Sequence, residues 1–494
     1  MSMERPGHSN RTQTKLRHKA GGRVKRARDS QGAAGRSKGG RARAASSPGA
    51  AARGARSAGG AGETVDLIIA NARQLITLGR AGQHSRAGQD SPRRGREMSE
   101  LGIIENGAVS VRAGRIVDVG PSREVLTKSW LSKHGELVDA SGRVVCPGFV
   151  DCHTHAVFAG KRAHEFEMRL QGSSYMEIAA QGGGILSSVR SFRKATAAEL
   201  AASASKRLNK MLELGTTTVE IKSGYGLSVE DELRALEVVK SLSDSHVMDV
   251  VPTFLGAHEI PEEFRGKKRE YVRNIIQEQI PEVSRRKLAG FCDVFCEKGV
   301  FTVEESRDIL KAGVRHGLRP KLHAEEFART GGAMLAAELG AVSADHLLHA
   351  SPADVNALRD AGVVAVLLPG TSFSLGLGRY ADARAMVEAG LPVALATDCN
   401  PGSSMTESMQ MMVTLACVEM RMRVAEALAA STINAAFALA LGEECGSLAA
   451  GKRADIVVFD AEDYREIPYH YGVSNVCHVV KNGEVVVRFG RLSG

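Results

Sequence analysis

The rhythm of apolar and polar positions changes twice along the chain. Short runs come first, at Val65-Asp66-Leu67-Ile68-Ile69 and Leu75-Ile76-Thr77-Leu78. A polar stretch from Gly79 to Glu100 then reads as an exposed loop, followed by runs at Ala108 to Arg112, Arg115 to Val119 and Arg143-Val144-Val145. Brief alternating strands joined by Gly turns predict a small β-domain. The style returns at the end, in Ala454 to Phe459, Val476 to Val480 and Val485-Val486-Val487. Asn482-Gly483 between the last two is a hairpin-turn signal. The expected small β-sandwich domain is therefore built from both ends, residues 63–146 and 447–494.

Between them, residues 147–446 alternate. Apolar strand-like runs occur at Gly148 to Cys152, Thr216 to Ile221, Val250 to Leu255, Cys292 to Cys296, Pro320 to His323, Val342 to Asp345, Val363 to Leu368 and Pro392 to Thr397. Helical segments with recognisable starts lie between them. Thr196-Ala-Ala-Glu199 and Thr302-Val-Glu-Glu305 fit a capping box, and Ser351-Pro352 puts proline where the first helical turn tolerates it. Leu200, Leu208, Met211 and Leu212 keep helical spacing before Gly215 ends the helix. Eight buried strands alternating with helices predict an α/β fold, a parallel (β/α)8 barrel, with its chemistry at the C-terminal ends of the strands.

Composition narrows the function classes. The net charge of +9 over 494 residues invites a nucleic-acid reading, but residues 1–62 carry fifteen Lys and Arg against Glu4 and Asp29. The body is thus mildly acidic, and the basic character belongs to a tail. With one Val, one Leu and no Ile, Phe, Tyr or Trp, that tail is expected to be disordered. Two readings stand for it: a solvated extension or upstream sequence, and a polycation that holds nucleic acid non-specifically through charge alone. It has no apolar core of a secretory signal, and no run in the chain approaches the roughly 18 apolar residues of a membrane span. The eight cysteines are scattered without a CxxC pair, which fits a reducing cytoplasm rather than a disulfide framework.

Ionisable residues collect at the predicted strand ends. The first strand runs into Asp151-Cys152-His153-Thr154-His155, where alternation points His153 and His155 to one side. The fifth ends at His323, with Glu325-Glu326 just beyond, the sixth at Asp345-His346 and the eighth at Thr397-Asp398. Each alone reads equally well as an ordinary polar strand end. Together on one rim they point to a metal or proton-transfer site, since imidazole and carboxylate suit zinc or iron.

This constellation resembles the amidohydrolase superfamily, and the resemblance covers almost the whole body. It implies one divalent metal ion, zinc or iron, held by His153, His155, His323 and Asp398. Longer blocks are similar to the imidazolonepropionase family: His153-Thr-His155-Ala-Val-Phe-Ala-Gly160-Lys-Arg162, Gln181-Gly-Gly-Gly184-Ile, Lys222-Ser-Gly-Tyr225-Gly226, Leu255-Gly-Ala-His258-Glu and Asp398-Cys-Asn400-Pro-Gly402-Ser403. That resemblance implies hydrolysis of the cyclic amide 4-imidazolone-5-propanoate to N-formimidoyl-L-glutamate, the third step of histidine degradation, by metal-bound hydroxide attack on the ring carbonyl. It implies substrate contacts from Arg162, Tyr225, His258, Glu326, Asn400, Gly402 and Ser403. A guanidinium at Arg162 suits the propionate carboxylate.

Glu326, His346 and Asp398 are the expected catalytic groups, and the sequence leaves open how they divide proton transfer and carbonyl polarisation. Lys298 stands near where two-metal relatives carry a carboxylated lysine; the resemblance to a one-metal family makes it a plain rim lysine. The resemblance further implies a cytoplasmic homodimer acting on a small molecule, with no membrane partner. Rival readings are a hydantoin, dihydropyrimidine or purine-type amidohydrolase, which would not combine Arg162 and Tyr225 in these contexts, and a barrel that kept only a binding role, which four intact ligand residues disfavour.

Overall fold

The computed structural model describes residues 62–79, 88, 90–173, 177–178 and 181–493. The expectations for the basic tail therefore fall, except at Gly62, outside the described residues.

Two sheets organise the body. The first has nine strands: β1 (Glu63–Ile76), β2 (Ile103–Arg112), β3 (Arg115–Pro121), β4 (Ser129–Asp139), β5 (Val144–Pro147), and, from the far end of the chain, β14 (Ile456–Phe459), β15 (Val476–Lys481), β16 (Glu484–Arg488) and β17 (Arg491–Leu492). The predicted run Val65–Ile69 and the start of the run Leu75–Leu78 lie in one strand, β1, which ends at Ile76. Asn71, at φ 61°, lets it shift register without ending. Its first half pairs with β4 and its second with β5, which in turn pairs with β14. Leu67, Val109, Val138, Val145, Ile456 and Val480 share one apolar core between these strands. Asn482 and Gly483, both at positive φ, form the expected β15–β16 turn.

Of the stretch Gly79 to Glu100, read as an exposed loop, residues 80–87 and 89 lie outside the described residues, and the described remainder corrects the reading. Arg93 and Met98 are buried, and the Arg93 guanidinium donates to the Leu78 carbonyl and to Asp90. Local polarity does not reveal burial when a guanidinium finds carbonyl and carboxylate partners.

The second sheet contains β6 (Phe149–Asp151), β7 (Thr216–Lys222), β8 (Asp249–Ala257), β9 (Phe291–Cys296), β10 (Arg319–Ala324), β11 (Ser343–His346), β12 (Val364–Leu367) and β13 (Val393–Leu395), all parallel and in sequential order. Just past β6 and β13, a bridge between Thr154 and Cys399 and a hydrogen bond from His155 N–H to the Cys399 carbonyl, 3.0 Å, nearly close it into the predicted barrel. Both predicted capping boxes form, at Thr196 and Thr302, and Pro352 opens the helix Pro352–Ala361.

Alternation along the strands separates two environments. Val219, Ile221, Val294, Leu322 and Ala344 join the large apolar cluster shared with the surrounding helices. Their neighbours Glu220, Lys222, Asp293, Lys321 and Asp345 are fully buried and pair with one another instead. The barrel interior is thus charged directly beneath the C-terminal ends of its strands.

Candidate active site

All the sequence-predicted site residues except His153 line one pocket at the C-terminal ends of the barrel strands. His153 is fully buried beside them, its ring centroid 5.3 Å from His155, 4.5 Å from His323 and 5.5 Å from His346. His153, His155 and Asp398 offer ligand atoms within 4.8 Å of one another, as do His153, His323 and His346. His153 belongs to both groups. The Nε2 atoms of His153 and His155 lie 3.7 and 3.5 Å from Asp398 Oδ1.

The donor set fits a single metal ion. Buried His153 Nε2 and His323 Nε2 have no hydrogen-bond partner among the described residues, which costs free energy unless something accepts their lone pairs. Burial, reinforced by the charge of Lys222 and neighbouring histidines, holds the His153 pKa well below the usual histidine range. Burial does the same for His155, and pushes His258 down to about 3. Neutral rings have the free lone pairs a cation needs. Burial lifts the Asp398 pKa to about 6 despite a 2.6 Å hydrogen bond from Thr371 Oγ1, so a cation beside it would offset the cost of keeping it ionised.

A layer of groups behind the rim orients these ligands. His153 Nδ1 sits 2.6 Å from Asp345 Oδ2, which turns Nε2 toward the site. His323 Nδ1 lies 3.0 Å from Asp293 Oδ2. Lys222 bridges the two carboxylates, 2.8 Å from Asp293 and 3.5 Å from Asp345. Burial works against its charge, but Asp293, Glu220 and Asp345 outweigh that and hold its pKa above the usual lysine range. The sequence reading missed Lys222, Asp293 and Asp345 in this role. The available signal was a charged residue two positions from another polar one inside an apolar strand, as in Glu220/Lys222 and Ser343/Asp345.

Beside the histidine cluster, Glu326 Oε2 is 3.5 Å from His346 Nε2. Burial, then the charge of Asp398, pushes the Glu326 carboxyl well above the usual carboxylate range. Glu325, His346 and Asp398 all carry positive φ, at 58°, 76° and 52°. Such backbone costs about 1–3 kcal/mol at each non-glycine residue, and it falls at or just past the ends of β10, β11 and β13. Glu325 is itself spent on structure, accepting from the N–H groups of Thr330, Gly331 and Ala333. Lys298 is exposed.

The remaining predicted residues form the pocket walls. His258 Nδ1 contacts the Gly224 carbonyl at 2.9 Å, and its ring stacks on His155 with centroids 5.0 Å apart. Glu232 accepts from the N–H groups of Gly224, Gly226 and Leu227, folding the turn that presents Tyr225. Asn400 Oδ1 accepts from Gly402 and Ser403 N–H at 2.8 Å each, so Asn400 shapes the loop that carries them. Arg162 is buried, with its guanidinium in the pocket wall against Gly402.

Known proteins match this arrangement at two levels. The Amidohydrolase family model matches residues 302–486. Solved structures share the fold at low identity: an adenosine deaminase from Xanthomonas campestris with bound zinc superposes with a TM-score of 0.63 at 18% identity, covering 88% of this chain and 95% of that one. Ochratoxinase from A. niger gives 0.59 at 18%, covering 85% and 95%. Curated relatives are far nearer in sequence. An imidazolonepropionase from Geobacillus kaustophilus is 50% identical over 427 residues, 86% of this chain and 99% of its own length. One from Brevibacillus brevis is 50% identical over 426 residues, again 86% and 99%. An amidohydrolase barrel with a histidine and aspartate cluster on its rim, matched over 86% of the chain by such relatives at half identity, places this chain in the imidazolonepropionase family.

Proposed function

We propose that the chain hydrolyses 4-imidazolone-5-propanoate to N-formimidoyl-L-glutamate in histidine degradation, with one zinc or iron ion held by His153, His155, His323 and Asp398. The observation that carries this reading is a buried guanidinium, Arg162, in the same pocket as His155, His323, Glu326 and Asp398. A site that must hold a charged side chain at one end and open a neutral ring at the other needs both.

A bound divalent cation supplies Lewis acidity, making water acidic enough to attack near neutral pH and drawing electrons from a carbonyl oxygen. The chain's own groups do the rest. Arg162 receives the propionate, while Tyr225 and His258 flank the ring and Gly402 and Ser403 close on it from the loop braced by Asn400. Water adds to the ring carbonyl carbon, the bond from that carbon to the ring nitrogen breaks, and the nitrogen takes up a proton. Glu326 is the group that moves this proton, since it is buried beside Asp398 in the same pocket, an environment that raises its pKa above the usual carboxylate range and favours a carboxyl able to carry a proton. His346, whose Nε2 lies 3.5 Å from Glu326 Oε2, supports the carbonyl oxygen as charge develops. Asp398 takes part in accepting the water's proton.

All eight cysteines are free, which supports a reducing, cytoplasmic setting; none of the described helices is long and apolar enough to cross a membrane. The exposed side chains of Phe166, Leu170, Phe373 and Met405 around one wide depression support a homodimer, testable by sedimentation. The basic tail enters this reading only as a non-specific nucleic-acid contact. The activity is tested by incubating purified, metal-loaded protein with imidazolonepropionate and following formiminoglutamate. Formation no faster than the uncatalysed rate overturns the proposal.

A further inference from the structure

The glycine run Gly182-Gly183-Gly184 and the buried carboxylate of Glu165 have no place in the chemistry above, yet they meet at Arg162. Arg162 stands immediately before the helix Ala163–Leu170, and Glu165 lies one turn on, where the side chain folds back on it. Both Nε, at 3.0 Å, and Nη2, at 2.7 Å, donate to the same oxygen, Glu165 Oε2. Only 1% of Glu165 is exposed. An ion pair at this spacing on a surface contributes little, whereas a buried one must serve a specific geometry to repay its desolvation.

The same Oε2 accepts the Gly184 N–H at 3.3 Å. Gly182 and Gly184 hold positive φ, and a Cβ on Gly183 would lie 3.1 Å from Glu165 Cδ and 2.7 Å from Ile178 Cγ2. The glycines are therefore what lets this backbone close over the carboxylate. With Nε and Nη2 engaged, Nη1 is the corner of the fork left without a hydrogen bond among the described residues, and it is the atom nearest to where a Gly402 side chain would start.

We propose that Glu165, cradled by the Gly182–Gly184 backbone, is a positioning residue that fixes the Arg162 fork so that its Nη1 corner faces the substrate carboxylate. This rests on the assignment of Arg162 to the propionate. The alternative is that Glu165 competes with the substrate for the guanidinium, and the two make opposite predictions. A fixed fork meets the carboxylate without losing side-chain freedom on binding, so removing Glu165 weakens binding. A competitor's removal strengthens it.

The test uses the metal-loaded full chain and two unreactive probes, imidazole-4-propionate and its primary amide. Glu165→Ala is expected to raise the inhibition constant of the carboxylate probe about tenfold, the scale of one charge-assisted hydrogen bond, and that of the amide less than about twofold. KM for imidazolonepropionate should rise in parallel while kcat falls less. In an Arg162→Met background, Glu165→Ala should add nothing further. If Glu165→Ala does not fold, Glu165→Gln, which keeps the shape and one acceptor oxygen, should show the same selectivity at smaller size.

Equal or tighter carboxylate binding in the variants overturns the proposal in favour of competition. Equal losses for both probes, or losses that add to those of Arg162→Met, overturn it in favour of a purely structural role. Wild-type protein that discriminates the probes but does not turn over imidazolonepropionate leaves Glu165 in place and refutes the proposed reaction instead.

Discussion

The backbone N–H of Asp398 donates to the carbonyl of His153 at 3.0 Å, across the seam between the first and last barrel strands. Two of the four candidate metal ligands are thereby spaced by the closure of the barrel itself. The site and the fold are built by the same hydrogen bonds.

Metal content should follow directly. Replacing His153, His155, His323 or Asp398 by Ala is expected to abolish bound metal and activity together, because an open site with three protein ligands left cannot easily replace a fourth. Chelation should lower the melting temperature of the wild type, by the equivalent of about 4 kcal/mol where free metal stood at a thousand times its Kd. It should leave that of His323→Ala unmoved. Stoichiometric metal in His323→Ala by elemental analysis would remove His323 from the ligand set.

Asp345→Asn tests the layer behind the ligands. It keeps the shape but weakens the 2.6 Å contact that turns His153. Metal affinity should fall by about 10–100-fold in chelator competition. An unchanged affinity would mean that packing alone orients the ring.

Binding and chemistry should separate between Arg162 and Glu326. The propionate keeps its charge throughout, so Arg162→Met should raise KM by about ten- to a hundredfold while kcat falls less. Glu326→Gln should lower kcat by about 10²–10⁴ at nearly constant KM, with metal intact. A collapse of kcat at unchanged KM in Arg162→Met would put the arginine at the reacting end of the ring.

Gly402→Ala should imitate Arg162→Met. A Cβ there would lie 2.6 Å from Arg162 Cζ and closer still to Nη1, so the guanidinium must leave its place. KM should rise with kcat largely kept, and the double variant should be no worse than Arg162→Met alone. Unchanged KM in Gly402→Ala would show that the fork has room to move.

The sequence by itself determined what local physics specifies. Apolar runs alternating with helical segments marked eight barrel strands within a few residues of their observed bounds, the Thr196 and Thr302 caps marked helix starts, and Asn482-Gly483 marked a hairpin. Alternation also put His153 and His155 on one side, and strand ends collected His323, His346 and Asp398 on one rim. Tertiary structure decided the partners. His153 and Asp345 are 192 residues apart in the chain, and Lys222 and Asp293 are 71 apart. Nothing near either residue in sequence encodes such a pairing, because it exists only once eight strands close at a fixed stagger. Arg93 read as loop for the same reason, since a charged residue looks exposed until a carboxylate and a carbonyl are folded onto it. Arg162 and Glu165 are only three residues apart, and there the spacing was visible. What the spacing lacked was burial, which the glycine run and the Gly402 loop supply, and burial turns an ordinary helical ion pair into a fixed fork.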